Sequence, residues 1–142
     1  MEIREFKIEN WQKVRDFWNS LNFLTPFDRK WIYERKIREY PDLFLIAEDN
    51  GEVVGTCIAN YDVQLSYIRF LIKDEYGRIG AELLKEMEKR LRKRGTLAMF
   101  VVPHKGKPCE KSLKSIKLGG LNKYANCEFW VKFLNKKEDF PQ

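Results

Sequence analysis

The sequence predicts a three-layer α+β domain in which about four helices cover a mixed, mostly antiparallel sheet of about seven strands. Three observations support this fold class. Apolar runs of strand length alternate with segments whose apolar residues recur at helical spacing. The pair Asn50-Gly51 separates two apolar runs, which is a strong signal of a hairpin. A long amphipathic helix between two further apolar runs indicates a parallel crossover whose strands are buried.

The elements follow one another with clear boundaries. Asn10 and Asp28 are predicted to cap the first two helices, and Gly95 to end the third. Gly119-Gly120 breaks the fourth helix, and two alternating segments after it suggest a closing antiparallel pair. In order, the prediction is a strand near 3–8, helices at 11–21 and 28–40, strands at 43–48, 53–60 and 65–72, a helix at 78–94, a strand at 97–102, a helix at 110–118, and strands at 121–127 and 128–134.

Length and composition limit the classes of function. The 142 residues fit one domain, which we place at residues 1–135, followed by a frayed tail at 136–142. The 44% of hydrophobic residues describe a globular protein rather than a disordered one. No apolar run is long enough to span a bilayer, and the first residues lack the apolar core of a signal peptide. We therefore expect a cytoplasmic protein without a membrane partner.

The net charge of +6 favours an anionic partner, namely a phosphorylated cofactor, nucleic acid or an acidic substrate. Basic residues gather at 85–94 and 105–117, but no nucleic-acid motif accompanies them, so nucleic acid is the weaker hypothesis. Cys57, Cys109 and Cys127 are odd in number and form no Cys-x-x-Cys pair. Neither a disulfide framework nor a metal site is therefore expected.

A segment with two glycines carries the most specific functional signal. Gly77 and Gly80 follow a strand-like run, and an amphipathic helix begins at once. The start of a helix offers unpaired N–H groups and a positive dipole end, which together suit a phosphate. Arg78 is unfavourable beside that dipole unless an anion lies there too. The alternative is that Asp74 and Glu75 cap the helix while Arg78 faces solvent.

The order of the elements resembles that of the GNAT superfamily of acyl-CoA-dependent N-acetyltransferases over nearly the whole chain. Residues 72–76, Ile-Lys-Asp-Glu-Tyr, match the approach to the family's glycine loop, and residues 79–84, Ile-Gly-Ala-Glu-Leu-Leu, match its exit. The break at Gly119 followed by residues 129–134 resembles the family's C-terminal ending. The resemblance implies direct transfer of an acetyl group from acetyl-CoA, as co-substrate, to a primary amine of a small molecule or a protein in a ternary complex.

The resemblance also implies where acetyl-CoA binds. The end of the fourth strand would pair its backbone with the pantetheine amides, as an added strand does, through Phe70, Leu71 and Ile72. Loop amides would hold the pyrophosphate, and the matching residues are Gly77, Arg78, Ile79, Gly80 and Ala81. The first two helices, which are rich in aromatic residues, would form a wall of the acceptor site.

Several residues depart from the family's pattern. The loop is about two residues shorter than usual, and Glu75 falls on a position that is Arg or Gln in the family. Ser115 occupies the position at which many members carry the Tyr that protonates the departing thiolate. These departures leave open an alternative function, an acyl-CoA-binding module with weak or no catalysis and a sensing or regulatory role.

Three side chains are candidates for acid–base chemistry. Tyr67 lies on the fourth strand and could bind substrate or relay a proton, or simply pack. His104 follows the fifth strand and its imidazole suits proton transfer near neutral pH, although an exposed loop histidine is the alternative. Tyr124 could reach in from the sixth strand as a general acid, or pack there. The identity of the acceptor is left open, as is assembly into a homodimer.

Overall fold

The computed structural model describes residues 1–103 and 110–125, together with positions 132 and 134. The elements are β1 (Glu2–Glu5), α1 (Trp11–Ser20), α2 (Lys30–Glu39), β2 (Phe44–Asp49), β3 (Glu52–Asn60), β4 (Leu65–Ile72), α3 (Gly77–Lys93), β5 (Ala98–Val101) and α4 (Glu110–Leu118). Single turns of 3₁₀-helix, Ile8–Asn10 and Asp74–Tyr76, precede α1 and α3. Each predicted helix is present, and its ends lie within two residues of the predicted ones.

The sheet has the order β1-β2-β3-β4-β5 in the described residues. Neighbouring strands from β1 to β4 pair antiparallel, and β5 runs parallel to β4. This mixed sheet, with four helices in the described part of the chain, confirms the predicted fold class, although five strands are present there rather than seven. The predicted pair at 121–127 and 128–134 lies largely outside the described residues, and its described beginning, 121–125, is not a strand.

Glycine and asparagine end two elements as predicted. Asn50 has a φ of 51° and Gly51 a φ of 79° between β2 and β3. Positive φ at both central residues defines a type I′ turn, whose twist matches that of the flanking strands. Gly95, with a φ of 78°, follows the end of α3. Both positions require a residue that tolerates left-handed backbone, and for this reason the sequence locates them well.

The two faces of the sheet form two separate apolar clusters. α1 and α2 cover one face, where Trp18 packs with Phe44 and Leu71. α3 covers the other face, with α4 beside it, and Leu84 packs there with Phe70. Because successive side chains of a strand point to opposite faces, neighbouring positions of β4 serve different layers. The strand that is expected to hold the cofactor is thus fixed from both sides.

Neither predicted cap residue forms a capping hydrogen bond. Asn10 is the N-cap residue of α1 as predicted, but its side-chain oxygen accepts a hydrogen bond of 3.0 Å from the backbone N–H of Lys7. α2 begins at Lys30, and the carboxylate of Asp28 faces Arg69 on β4 instead of the helix. In both cases a partner outside the helix competes for a short polar side chain.

The predicted burial of β5 is also wrong. Ala98 and Phe100 are exposed, and Leu97 just before the strand is 81% exposed. Exposure alternates along β5, because Ala98 and Phe100 point to one face of the sheet, whereas Met99 and Val101 point to the other and are partly buried against the α3 cluster. A continuous apolar run indicated a strand correctly, but it did not indicate how deeply the strand is buried.

Candidate functional site

β4 and β5 separate at the place where the sequence suggests cofactor binding. Their parallel pairing ends at Ile68 and Val101, whereas β4 remains paired with β3 as far as Ile72 opposite Gly55. Along residues 69–72, β4 therefore has a free edge toward β5 within the described part of the chain. The last three side chains of β4 are buried. This edge consequently offers backbone N–H and C=O groups to a ligand.

The start of α3 lies directly after this free edge. The turn Asp74–Tyr76 leads into the helix at Gly77. Tyr76 is the N-cap residue and forms no capping hydrogen bond through its side chain, and the first turn contains no acidic residue. Arg78 is exposed in that turn. N–H groups without a cap, a positive dipole end and a cation together favour an anion.

Tyr76 attaches the start of α3 to the β2–β3 hairpin. Its hydroxyl donates a hydrogen bond of 2.7 Å to Oδ2 of Asp49. This hydrogen bond, with burial and the nearby carboxylates, raises the pKa of Tyr76 to about 12. The hydroxyl is therefore protonated at neutral pH and remains a donor. The contact fixes the path of the short loop between β4 and α3.

The absence of a side chain at Gly80 is explained by packing. A Cβ atom there would lie 2.4 Å from Ser115 Oγ and 2.9 Å from Phe70 Cζ, and both distances are too short. A Cβ atom at Gly77 would meet only ordinary contacts, the nearest at 3.7 Å from Lys114. Gly80 therefore lets α3 approach α4 and β4 closely. This packing accounts for the glycine without a phosphate, and its amide is still a candidate ligand.

Ser115 does not replace the tyrosine of the family as a proton donor. Its side chain is fully buried, and its hydroxyl donates a hydrogen bond of 2.8 Å to the carbonyl oxygen of Gly77. The hydroxyl thus joins α4 to the first turn of α3. A proton for a departing thiolate must come from another group or from water.

The three predicted acid–base residues differ in position. Tyr67 is half-buried on β4, just before β5 departs, and its ring centre lies 5.2 Å from that of Phe100. His104 lies outside the described residues. Tyr124 is fully exposed and lies outside any strand in the described residues, so its role as a general acid stays a prediction.

A buried network around Arg69 was missed by sequence reasoning. Its guanidinium group binds both carboxylate oxygens of Asp28, with 3.1 Å to Oδ2. It also donates hydrogen bonds of 2.9 Å to the Tyr33 hydroxyl and to the carbonyl oxygen of Phe23. The guanidinium carbon lies 4.3 Å from the centre of the Trp18 ring. One side chain of β4 thus holds α1, α2 and the loop between them.

The electrostatics of this network are those of a matched ion pair. Burial by itself would raise the pKa of Asp28, but the hydrogen bonds and charge of Arg69, with those of Tyr33 and Thr25, hold that pKa below its usual value. Burial raises the pKa of Tyr33, so its hydroxyl stays protonated. It donates a hydrogen bond of 2.6 Å to Oδ1 of Asp28. The sequence did contain a signal for this network. Arg69 is a charged residue between the apolar residues Ile68 and Phe70 of a strand, and a charge buried there requires a partner.

A free β4 edge beside an uncapped helix start, on a mixed sheet of this order, defines an acyltransferase framework of the GNAT type. Residues 7–110 match the Acetyltransferase (GNAT) family, and the chain belongs to that family. An acetyltransferase of Pectobacterium atrosepticum is 38% identical over 99 residues, which are 67% of this chain and 70% of the relative. The protein is therefore an acyl-CoA N-acyltransferase by family.

Solved structures share the fold. AAC(6')-Iy, in complex with the bisubstrate analogue CoA-S-monomethyl-acetylneamine, superimposes with a TM-score of 0.67 at 15% identity, covering 93% of this chain and 97% of that one. Glucosamine-6-phosphate N-acetyltransferase from Arabidopsis thaliana gives a TM-score of 0.65 at 15% identity, covering 92% and 98%. At such identities the likeness concerns the fold alone.

The described residues lack two other kinds of site. No helix there is both long and apolar enough to cross a membrane. No group of three or more His, Cys, Asp or Glu side chains there could hold a metal ion. The free edge of β4 and the start of α3 form the candidate functional site.

Proposed function

We propose that the protein transfers an acetyl group from acetyl-CoA to a primary amine of a small molecule or a protein, directly in a ternary complex. The observation that carries the proposal is the unpaired β4 edge next to the uncapped start of α3. We place the transferase domain at residues 1–135. Family membership supports acyl transfer, and the arrangement of this edge supports a CoA-like donor.

The donor would be held mainly by backbone groups. The unpaired edge at Phe70, Leu71 and Ile72 would pair with the two amides of pantetheine as an added strand. The pyrophosphate would accept hydrogen bonds from the first N–H groups of α3, and the exposed Arg78 would add its charge. The contributing residues are Gly77, Arg78, Ile79, Gly80 and Ala81.

The transfer requires a neutral amine, which attacks the thioester carbon and forms the N–C bond. A backbone N–H near Leu71 or Ile72 would stabilise the oxyanion of the tetrahedral intermediate. The C–S bond then breaks, the nitrogen releases a proton, and the thiolate gains one. Tyr67 is the described side chain best placed to deliver that proton, because it lies beside the point where β5 departs. His104 and Tyr124 remain the other candidates suggested by the sequence.

Binding of the donor is tested by isothermal titration of acetyl-CoA, with desulfo-CoA and dephospho-CoA as comparisons. We expect Arg78→Glu to weaken binding about tenfold, because it places a carboxylate beside the pyrophosphate. Lys89→Glu is the matched control, since Lys89 is exposed farther along the same helix, and it should bind normally. Equal affinities of the two variants for acetyl-CoA would contradict the proposal that the pyrophosphate binds at this helix start.

The buried Ser115 favours a second candidate function, an acyl-CoA-binding module that senses or regulates. The two functions differ in whether thiol is released from acetyl-CoA when amines are added. Binding of CoA without thiol release across a broad panel of amines would favour the module. Turnover of several amines, lowered by Tyr67→Phe at unchanged affinity for CoA, would favour the enzyme.

A further inference from the structure

A cleft lies between the C-terminal half of α2 and the end of β3, outside the cofactor edge. Its volume is about 210 Å³, which is smaller than a pocket for a whole ligand and fits one part of a molecule. Its floor is apolar. The lining residues are Lys36, Glu39, Tyr40, Leu43, Phe44, Ile58, Ala59, Asn60 and Tyr61.

The cleft is close to the point where β4 and β5 separate. Asn60 lies opposite Tyr67 in the register of β3 and β4, and its side-chain N–H donates to the Tyr67 carbonyl oxygen at 3.4 Å. Neighbouring strands are roughly 5 Å apart, so the cleft is within about two strand spacings of the free β4 edge. A small molecule could therefore reach from the cleft to a thioester at that edge.

The cation of this cleft, Lys36, forms no ion pair with a described carboxylate, although Glu39 also lines the cleft. The Lys36 ammonium donates a hydrogen bond to the neutral side-chain oxygen of Asn60. No described carboxylate lies within ion-pair distance of it. Burial lowers the pKa of Lys36, the charge of Arg69 lowers it further, and Glu39 offsets part of this. Because burial and the charge of Arg69 both disfavour the protonated amine, that amine would gain from an added anion.

Two other half-buried cations, Arg69 and Arg94, each face a carboxylate. Arg69 faces Asp28, and Arg94 donates hydrogen bonds of 2.6 and 3.0 Å to the Asp42 carboxylate. The Arg94 guanidinium also lies 5.0 Å from the centre of the Tyr40 ring, which forms one wall of the cleft. Lys36 thus presents a positive group to a small cleft with firm aromatic and apolar walls.

We propose that this cleft binds a carboxylate of the acyl acceptor, so that the acceptor is an amino carboxylic acid rather than a simple or polycationic amine. The carboxylate would accept hydrogen bonds from the Lys36 ammonium and the Asn60 amide. Glu39 at the cleft disfavours a doubly charged phosphate more than a single carboxylate. This inference rests on the proposed acetyl transfer, because it specifies the chemical group at the end of the acceptor that is opposite the reacting amine.

The test uses matched amines that differ in one end group: 6-aminohexanoate, hexylamine and 6-aminohexyl phosphate, with an eight-carbon set beside them. We expect kcat/KM for acetyl transfer, and affinity in the presence of desulfo-CoA, to be about tenfold better for an amino acid than for the alkylamine of equal length. Lys36→Met should abolish this preference and leave CoA affinity unchanged. Lys30→Met, an exposed lysine at the start of the same helix, should keep it.

The inference is overturned if wild type treats carboxylate and alkyl ends alike, if it prefers the phosphate, or if Lys36→Met retains the preference. Binding of the three amines is also measured without any CoA. Carboxylate-selective binding that depends on Lys36 but occurs without acetyl transfer would support carboxylate binding in the cleft and contradict the proposed reaction. Failure to bind any of the three amines would contradict carboxylate binding in the cleft and leave the proposed reaction to be decided by the titration with acetyl-CoA.

Discussion

The two sides of β4 are built from different parts of the chain. Toward β5 and α3, the strand offers backbone groups and a helix start, with few side chains that could act on a ligand. Toward α1 and α2, it presents Arg69 in a buried network with Asp28 and Tyr33. The first side suits a donor that is recognised by pairing and by a dipole. The second side suits recognition by particular side chains.

This difference indicates which of the two sides of β4 tolerates sequence change. Backbone groups are present whatever residues the strand carries, so the free β4 edge is independent of whether Tyr or Ser115 stands on α4. The α1–α2 side depends on individual charges, and a change of one partner leaves the other buried and unmatched. We infer that acceptor choice is the more variable property of the two.

Replacement of Arg69 should have the largest effect. Arg69→Met leaves the Asp28 carboxylate buried without its counter-charge, and we expect a loss of about 3–5 kcal/mol in the free energy of unfolding. Chemical denaturation followed by tryptophan fluorescence measures it. Arg92→Met is the control, because the Arg92 side chain is 74% exposed in its pair with Glu88, and its change should stay below about 0.5 kcal/mol. A loss under about 1 kcal/mol for Arg69→Met would contradict the view that the α1–α2 side of β4 depends on this buried ion pair.

The next effect concerns the other side of β4, where packing rather than charge is tested. Gly80→Ala places a methyl group against Ser115 and Phe70, which should cost about 1–3 kcal/mol of unfolding free energy through overpacking. Gly77→Ala in the same helical turn meets no short contact and has helical φ, so it should be neutral or slightly stabilising. Thermal denaturation of both variants provides the measurement. Similar melting temperatures would show that α3 and α4 pack less closely than described.

The backbone half of the site was the half that the sequence could predict. The spacing of Gly77 and Gly80, the Asn50-Gly51 turn and the order of the elements are local signals, and each depends on a few neighbouring residues. They led to the correct family, while cofactor binding by residues 70–72 stays a prediction. The same signals did not reveal the close packing of Gly80 against Ser115, because that contact joins segments far apart in the chain.

The side-chain half could not be predicted for a physical reason. Asp28 has the local pattern of a helix cap, and nothing in its neighbourhood reveals a partner 41 residues later in the chain. Lys36 reads as an ordinary charged helical residue, and its desolvation depends on how α2 packs beside β3. Tyr124 was expected to point inward only because a sixth strand was expected. The surroundings of each of these side chains depend on packing between segments far apart in the chain. Such packing cannot be inferred from the local pattern of a single sequence.

The smallest expected effect is the dependence of stability on pH, because only part of the ion pair is titrated in the accessible acid range. The folded-state pKa of Asp28 is below its ordinary value of 3.8, so the unfolded chain binds the proton more tightly. The stabilisation by the pair is thus fully present above that ordinary value and is lost as pH falls through the lower, folded pKa. We expect the stability difference between wild type and Arg69→Met/Asp28→Asn to be constant from pH 7 to about pH 5 and to shrink below pH 4. Urea denaturation at a series of pH values measures it. A difference that widens with acid would mean that Asp28 is protonated in the folded protein, and the α1–α2 side would then be held by neutral hydrogen bonds rather than by charge.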